Sequence, residues 1–219
     1  KKRQVLGGSA VYASLSLSAF VPVRMVGVVG EDFPEQAIGL LSSRNIDMEG
    51  LEKKPGRTFS WEGEYGHDLA EAKTLATNLN VFAHFSPRLP ESYRQEEAVF
   101  LGNIDPDVQA DVLAQMRTPR VIAADTMNHW LDMKPDALKK LLPRVNIFFV
   151  NEKEAKKLSG EPKVLRAARV ISQWGPRLVV IKSGEHGAMA YDGQQENCYW
   201  APAFPAPEVV DPTGAGDSF

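Results

Sequence analysis

Val121-Ile122-Ala123-Ala124-Asp125, then a helical stretch, then Ile147-Phe148-Phe149-Val150-Asn151-Glu152: this passage decides the fold class. Each apolar run is short, rich in β-branched or aromatic residues, and ends in a polar residue. Between them, Leu138, Leu141 and Leu142 fall on one face of a helix over 135–142. The same unit recurs on either side. Runs at 99–101 and 178–181 are apolar, and Val108, Val112, Leu113 and Met116 share a helical face, as do Ala167, Ile171 and Trp174. Strands alternating with helices predict an α/β domain with a mainly parallel sheet. Upstream, the pattern predicts a helix over 9–20, a strand over 23–29 and a helix over 33–44.

Residues 56–85 break this rhythm. Thr58-Phe59-Ser60-Trp61-Glu62-Gly63-Glu64-Tyr65 alternates polar and apolar, as a half-exposed strand does, and 80–85 is read as its partner strand. The expected organisation is a core of residues 1–55 and 86–219, with a β appendage of residues 56–85 inserted as a lid.

In open α/β sheets, ligands collect beyond the carboxyl ends of the strands. Asn103, Asp125, Asn151 and the Lys182-Ser183-Gly184 segment all follow apolar runs, which predicts that they line one edge of the sheet. The strongest chemical motif is Asp211-Pro212-Thr213-Gly214-Ala215-Gly216-Asp217-Ser218-Phe219. Small residues there permit a sharp turn, and a helix starting at the turn would aim backbone N–H groups at an anion. A carboxylate just after it could take a hydroxyl proton. The same residues also suit a glycine-rich loop with a capping aspartate.

This nonapeptide resembles the C-terminal signature of the ribokinase-like (PfkB-type) carbohydrate kinases. The resemblance implies a three-layer α/β/α core with a β lid, and ATP-dependent phosphorylation of a hydroxyl on a sugar or nucleoside. It implies Asp217 as catalytic base, with Gly214, Ala215 and Gly216 as the anion hole and Asp211 beside the nucleotide phosphates. Asn151-Glu152-Lys153-Glu154 resembles the family's N-x-x-E motif, which implies that Asn151 and Glu154 organise Mg²⁺ and phosphate, partly through water; Mg²⁺ favours such oxygen donors. Lys182 and Gly184 fall where the family approaches ATP. Gly7-Gly8, followed by Gly27-Val28-Val29-Gly30-Glu31-Asp32, resembles its N-terminal signature, where the glycine pair receives substrate. Asn103 and Asp125 are assigned to the substrate side.

Two departures stand out. Tyr12 occupies a position where the family commonly has Asn, and Asp125-Thr126-Met127-Asn128-His129-Trp130 replaces the D-x-N-x-R segment. Both lie on the implied substrate side. Ser9, where a basic group would favour a phosphorylated sugar, leans toward an unphosphorylated one. Trp61, Phe59 and Tyr65 suit stacking on a sugar or base; packing of the lid against a second subunit, giving a homodimer, is the slightly preferred reading.

Composition narrows the partners. The 219 residues carry a formal net charge of -3 with 43% hydrophobic residues, which gives no electrostatic reason to expect nucleic acid or an anionic membrane. The apolar stretch 10–29 is divided by Pro22 and Arg24, so it does not read as a membrane span, and Lys1-Lys2-Arg3 reads as a solvated lead-in. A single cysteine, Cys198, fits a reducing, cytoplasmic setting. The absence of an initial Met and the halt just after a turn that should open a helix lead us to expect further residues at both ends. The four histidines show no metal-ligand spacing, and no Walker A loop is present. Two other functions compete. Gly216-Asp217-Ser218 echoes a serine-esterase turn, but no histidine is marked as the base for Ser218. A non-catalytic binding protein on the same fold would account for Tyr12 and the altered Asp125 segment.

Overall fold

The computed structural model describes residues 5–66 and 72–219. The basic start at Lys1-Lys2-Arg3 and His67 lie outside the described residues. The chain divides into two compact units, one running to Tyr93 and resuming from Val209 to Phe219, the other running from Arg94 to Glu208.

In the first unit, α1 (Ser9–Leu17) leads to β1 (Val23–Val29), α2 (Glu35–Ser43) and β2 (Ile46–Lys53). Helix α1 stops short of the predicted residue 20: Ala19 and Phe20 bond back to Ser16 and Leu17 in tight three-residue turns, and Phe20 is exposed. Strand β1 has the predicted bounds. Strand β2 was not anticipated, because Asp47, Glu49, Glu52 and Lys53 hide the apolar pattern of Ile46, Met48 and Leu51. It pairs parallel with β1, and Val11, Met25, Leu41 and Ile46 form the buried cluster that joins the four elements.

The same unit carries an antiparallel ribbon of β3 (Ser60–Tyr65) and β4 (Ala72–Asn78), with an irregularity between Glu62 and Gly63 in the register. The strand expected over 58–65 is present over Ser60–Tyr65. The expected partner at 80–85 is not a strand: Asn80–His84 form a 3-10 helix, and 72–78 supply the pairing. The reason lies in Phe59, Phe82 and Phe85. Phe82 meets Phe59 at 5.6 Å and Phe85 at 5.7 Å between ring centroids, so these aromatics wedge the base of the ribbon. The Asn80 side chain donates to the Thr58 carbonyl, and Val81 N–H to that of Arg57. Thr58 donates from its N–H and its hydroxyl to Asp32 Oδ1, each at 2.7 Å. A two-stranded ribbon is marginal in isolation, and these contacts root it.

The second unit holds a six-stranded sheet in the order β10-β9-β8-β7-β6-β5. Its elements are β5 (Ala98–Leu101), α3 (Pro106–Gln115), β6 (Val121–Ala124), α4 (Asn128–Met133), α5 (Pro135–Leu141), β7 (Ile147–Asn151), α6 (Glu152–Ser159), α7 (Val164–Ser172), β8 (Leu178–Lys182), β9 (Ala188–Asp192) and β10 (Asn197–Ala201). Strands β5 to β8 are parallel and consecutive, while β9 and β10 turn antiparallel. Consecutive right-handed crossovers put the helices that link β5 to β8 on one face. Their apolar stripes meet the sheet there: Leu113, Leu138, Phe148, Ala167, Ile171 and Ile181 are nearly inaccessible. Phe149 points to the opposite face, where it meets Phe100 edge to face. No described helix is long and apolar enough to cross a membrane.

Candidate active site

Two constellations carry the predicted residues, one in each unit. In the first unit, residues 213–218 form a run of turns rather than an assigned helix. Asp211 Oδ1 accepts from Thr213 N–H at 3.0 Å, Ala215 N–H donates to the Pro212 carbonyl, and Ser218 N–H donates to the Gly214 carbonyl at 2.9 Å. Gly214 adopts φ 79, in the left-handed region that disfavours side chains. A Cβ there would also collide with the ring of Tyr12. Tyr12 therefore packs flat on the turn that contains Ala215, Gly216 and Asp217. Its hydroxyl reaches the Leu6 carbonyl at 3.4 Å, beside Gly7 and Gly8. Burial first, then the charges of Asp211 and Asp217, push the Tyr12 phenol upward, so it stays a neutral donor. From β3, Tyr65 takes part as well: Thr213 Oγ1 donates to its hydroxyl at 3.2 Å. The glycine pair, the Asp217 turn and the ribbon thus meet around two tyrosines. Sequence reasoning noted Tyr12 as a departure and Tyr65 as a stacking residue, but neither as a neighbour of the turn.

In the second unit, Asn103, Asp125, Asn151 and Gly184 follow or end the parallel strands β5, β6, β7 and β8, so they share the carboxyl edge of the sheet. Asn151 ends β7 and caps α6. Its Oδ1 accepts from Glu154 N–H at 2.9 Å, and Glu154 Oε2 accepts from Asn151 N–H at 2.8 Å, a reciprocal capping box. Glu154 is buried rather than displayed on a surface. Burial is the main cause that pushes its carboxyl up to about 7, with Asp125 nearby adding to it and Lys182 opposing it.

Lys182, at the end of β8, donates to Asp125 Oδ2 at 2.8 Å. Both side chains are largely buried, and Asp125 is held above its ordinary range by burial despite the lysine. Asp125 Oδ1 also accepts from Thr126 N–H. Gln109, which sequence reasoning passed over, is buried and donates to the carbonyls of Leu101, Gly102 and Asp125, tying the ends of β5 and β6 together. Asn103 Oδ1 accepts from the Trp130 indole at 3.1 Å. Gly184, with φ 55, opens the short turn at Gly184–His186 after β8.

No group of three or more His, Cys, Asp or Glu suited to hold a metal occurs among the described residues. This donor set fits Mg²⁺ bound as it usually is, through phosphates and water with one or two carboxylates, rather than in a protein cage. Glu154 is raised by burial and by a second carboxylate, so added positive charge beside it would favour its ionised form.

Comparison with known proteins accords with this arrangement. The model of the pfkB family carbohydrate kinases matches residues 3–219. A cytidine kinase of Thermococcus kodakarensis is 32% identical over 215 residues, covering 97% of this chain and 76% of that protein. An E. coli protein described as a ribokinase II, solved in complex with ATP and Mg²⁺, superposes with a TM-score of 0.73 at 23% identity, over 97% of this chain and 72% of that one. An adenosine kinase from Sinorhizobium meliloti gives a TM-score of 0.78 at 18% identity, over 97% of this chain and 68% of that one. The fold is ribokinase-like, and the chain belongs to the pfkB family of carbohydrate kinases, enzymes that transfer phosphate to a hydroxyl of a small molecule.

Proposed function

We propose that the acceptor is a nucleoside, with cytidine the first to test, and that the protein transfers the γ-phosphoryl group of ATP to a ribose hydroxyl. The observation that carries this reading is the 32% identity to a cytidine kinase along 97% of the chain. Ser9 beside the glycine pair, rather than a basic residue, agrees with an acceptor that carries no phosphate.

Asp217 accepts the proton of the attacking hydroxyl. The hydroxyl oxygen bonds to the γ-phosphorus as the bond to the bridging oxygen breaks, and ADP leaves. The backbone at Gly214, Ala215 and Gly216 stabilises the charge on the transferring group, consistent with the dominance of positioning and electrostatics in phosphoryl transfer. Gly7 and Gly8 receive the acceptor, with Tyr12 as a neutral donor next to them. On the nucleotide side we assign Asp211, Asn151 and Gly184. Bound Mg²⁺ supplies charge neutralisation on the phosphates, and Asn151 and Glu154 would hold it, partly through water. Because Lys182 is ion-paired with Asp125, both are assigned positioning roles at the sheet edge, with Asn103 beside them. Residues 56–85 act as the lid, and a single cysteine suits an ATP-using enzyme of the cytoplasm.

An ADP-release screen of the full-length protein over nucleosides, free sugars and sugar phosphates tests this directly. Highest kcat/KM for a pyrimidine nucleoside is expected. Preference for a free sugar would replace the nucleoside reading while leaving the kinase in place.

A further inference from the structure

The ribbon has two chemically different faces. Residues directly opposite in an antiparallel pair project to the same side, and Trp61 pairs with Thr77, Gly63 with Thr74 and Tyr65 with Ala72. That face carries no charge among the described residues. The other face takes Glu62, Glu64 and Lys73. The uncharged face is also the one whose Tyr65 hydroxyl meets Thr213 in the Asp217 turn.

Trp61 is held on this face in a fixed pose. Its indole N–H donates to Thr74 Oγ1 at 3.1 Å, and the ring lies over Gly63, where any Cβ would overlap it. Glycine weakens a strand and often marks a close approach; here it lets the indole lie flat against its own strand. Trp61 remains 39% exposed, so apolar surface is left open on this face. Trp61 and Tyr65 stand four residues apart on one strand, about 13 Å at the usual strand rise. That span suits an acceptor with its reactive hydroxyl at one end and a flat ring at the other, and is long for a single sugar.

We propose that Trp61, seated on Gly63 and fixed by Thr74, is a stacking platform for the base of a nucleoside whose ribose hydroxyl is presented at the Asp217 turn. The proposal rests on the nucleoside reading above and names the residue that recognises the base. An uncharged face gives a neutral heterocycle favourable apolar and π contact and offers nothing to a sugar phosphate.

The test is steady-state kinetics of the full-length protein with cytidine and ATP, comparing Trp61→Ala, Trp61→Phe and Gly63→Val. Stacking energies at aromatic platforms correspond to a cytidine KM raised about tenfold to a hundredfold in Trp61→Ala. Trp61→Phe restores most of it. Gly63→Val, which keeps the indole but removes its seat, raises KM in the same direction. KM for ATP stays unchanged in all three, and kcat changes little. Normal cytidine KM in Trp61→Ala overturns the platform while leaving the nucleoside reading intact. If that variant also loses self-association on sedimentation, the ring is a subunit contact instead. Absence of any nucleoside turnover or binding by the wild type overturns the nucleoside reading, and the platform falls with it.

Discussion

Lys182 Nζ lies 2.8 Å from Asp125 Oδ2, joining the ends of β8 and β6 across β7. The pair is buried, and the α6 capping box begins at the end of the strand between them. Removing one partner of a buried ion pair leaves an uncompensated charge, at a cost of about 3–5 kcal/mol, whereas replacing both is often close to neutral. Lys182→Met is therefore expected to lower stability by that order in urea unfolding at neutral pH, and the double change with Asp125→Asn to recover most of the loss. Because burial already raises Asp125, the single variant should regain stability as pH falls and the carboxyl protonates. Equal losses in the single and double variants would show that the ammonium does not serve mainly to offset Asp125.

Glu154 gives a pH prediction of definite sign. Its carboxyl is raised from the usual carboxylate range to about 7, chiefly by burial. A raised pKa contributes stability that is fully present below the unfolded value and lost as pH rises through the folded one. Without Mg²⁺ and nucleotide, stability should thus fall between about pH 4.5 and pH 7, by an amount on the order of 3 kcal/mol from this group. Glu154→Gln keeps the capping box, which Gln also closes, and should flatten the fall. Parallel thermal melts of the two proteins across that range make the comparison; an unaltered slope would exclude Glu154 as its source.

Asp217→Asn preserves shape and removes the proton acceptor. General-base catalysis is worth about 10²–10⁴-fold, so kcat should drop on that order while ATP affinity by calorimetry changes little. Wild-type kcat with chemistry rate-limiting would remove Asp217 from the role of base. Comparable loss of ATP binding would assign the carboxylate to structure or metal organisation.

Gly214→Ala places a methyl group against the Tyr12 ring and strains a φ of 79. Overpacking typically costs about 1–3 kcal/mol, and the displaced turn carries Asp217. The expected outcome is a fall in kcat larger than any change in KM for ATP. Adding Tyr12→Ala should restore part of the thermal stability, since the clash is relieved but the backbone strain remains. No recovery in the double variant would mean that the backbone, not the ring, sets the requirement for glycine.

Several parts of this molecule were legible in the residues alone. The parallel strands β5 to β8 announce themselves as short apolar runs because one face packs on the helices while the other still carries apolar residues such as Phe100 and Phe149, so no polar residue interrupts them. The polar residue that ends or follows each run marks the carboxyl edge because the strands are parallel, and Asn103, Asp125, Asn151 and Gly184 lie along that edge as the pattern predicts. The turn at Gly214 and the Asn151-Glu152-Lys153-Glu154 motif are local, written in contiguous residues, although the capping box that Asn151 and Glu154 form is seen only in the structure. Helix α4, and the antiparallel strands β9 and β10, went unnoticed. Asn197–Ala201 is exposed along its length, so no burial pattern marks it.

Tertiary structure decided the rest, wherever partners distant in the chain compete for one group. Lys182 reads equally well as a phosphate contact or a solvated lysine until Asp125, 57 residues away, is found to hold it. Glu154 reads from its motif as an organiser of Mg²⁺ and phosphate, but its burial and its bond back to Asn151 N–H are known only from the fold. The ribbon shows the same limit: Phe82 and Phe85 look like strand residues, but Phe82 packs between Phe59 and Phe85 in a 3-10 turn, and the polar run 72–78 pairs instead. Tyr12 marks the clearest boundary between the two kinds of information. The sequence determined that an aromatic ring stands near the glycine pair; only the folded chain decided that Gly214 lies beneath it, because a close approach between residues so far apart along the backbone depends on every element packed between them.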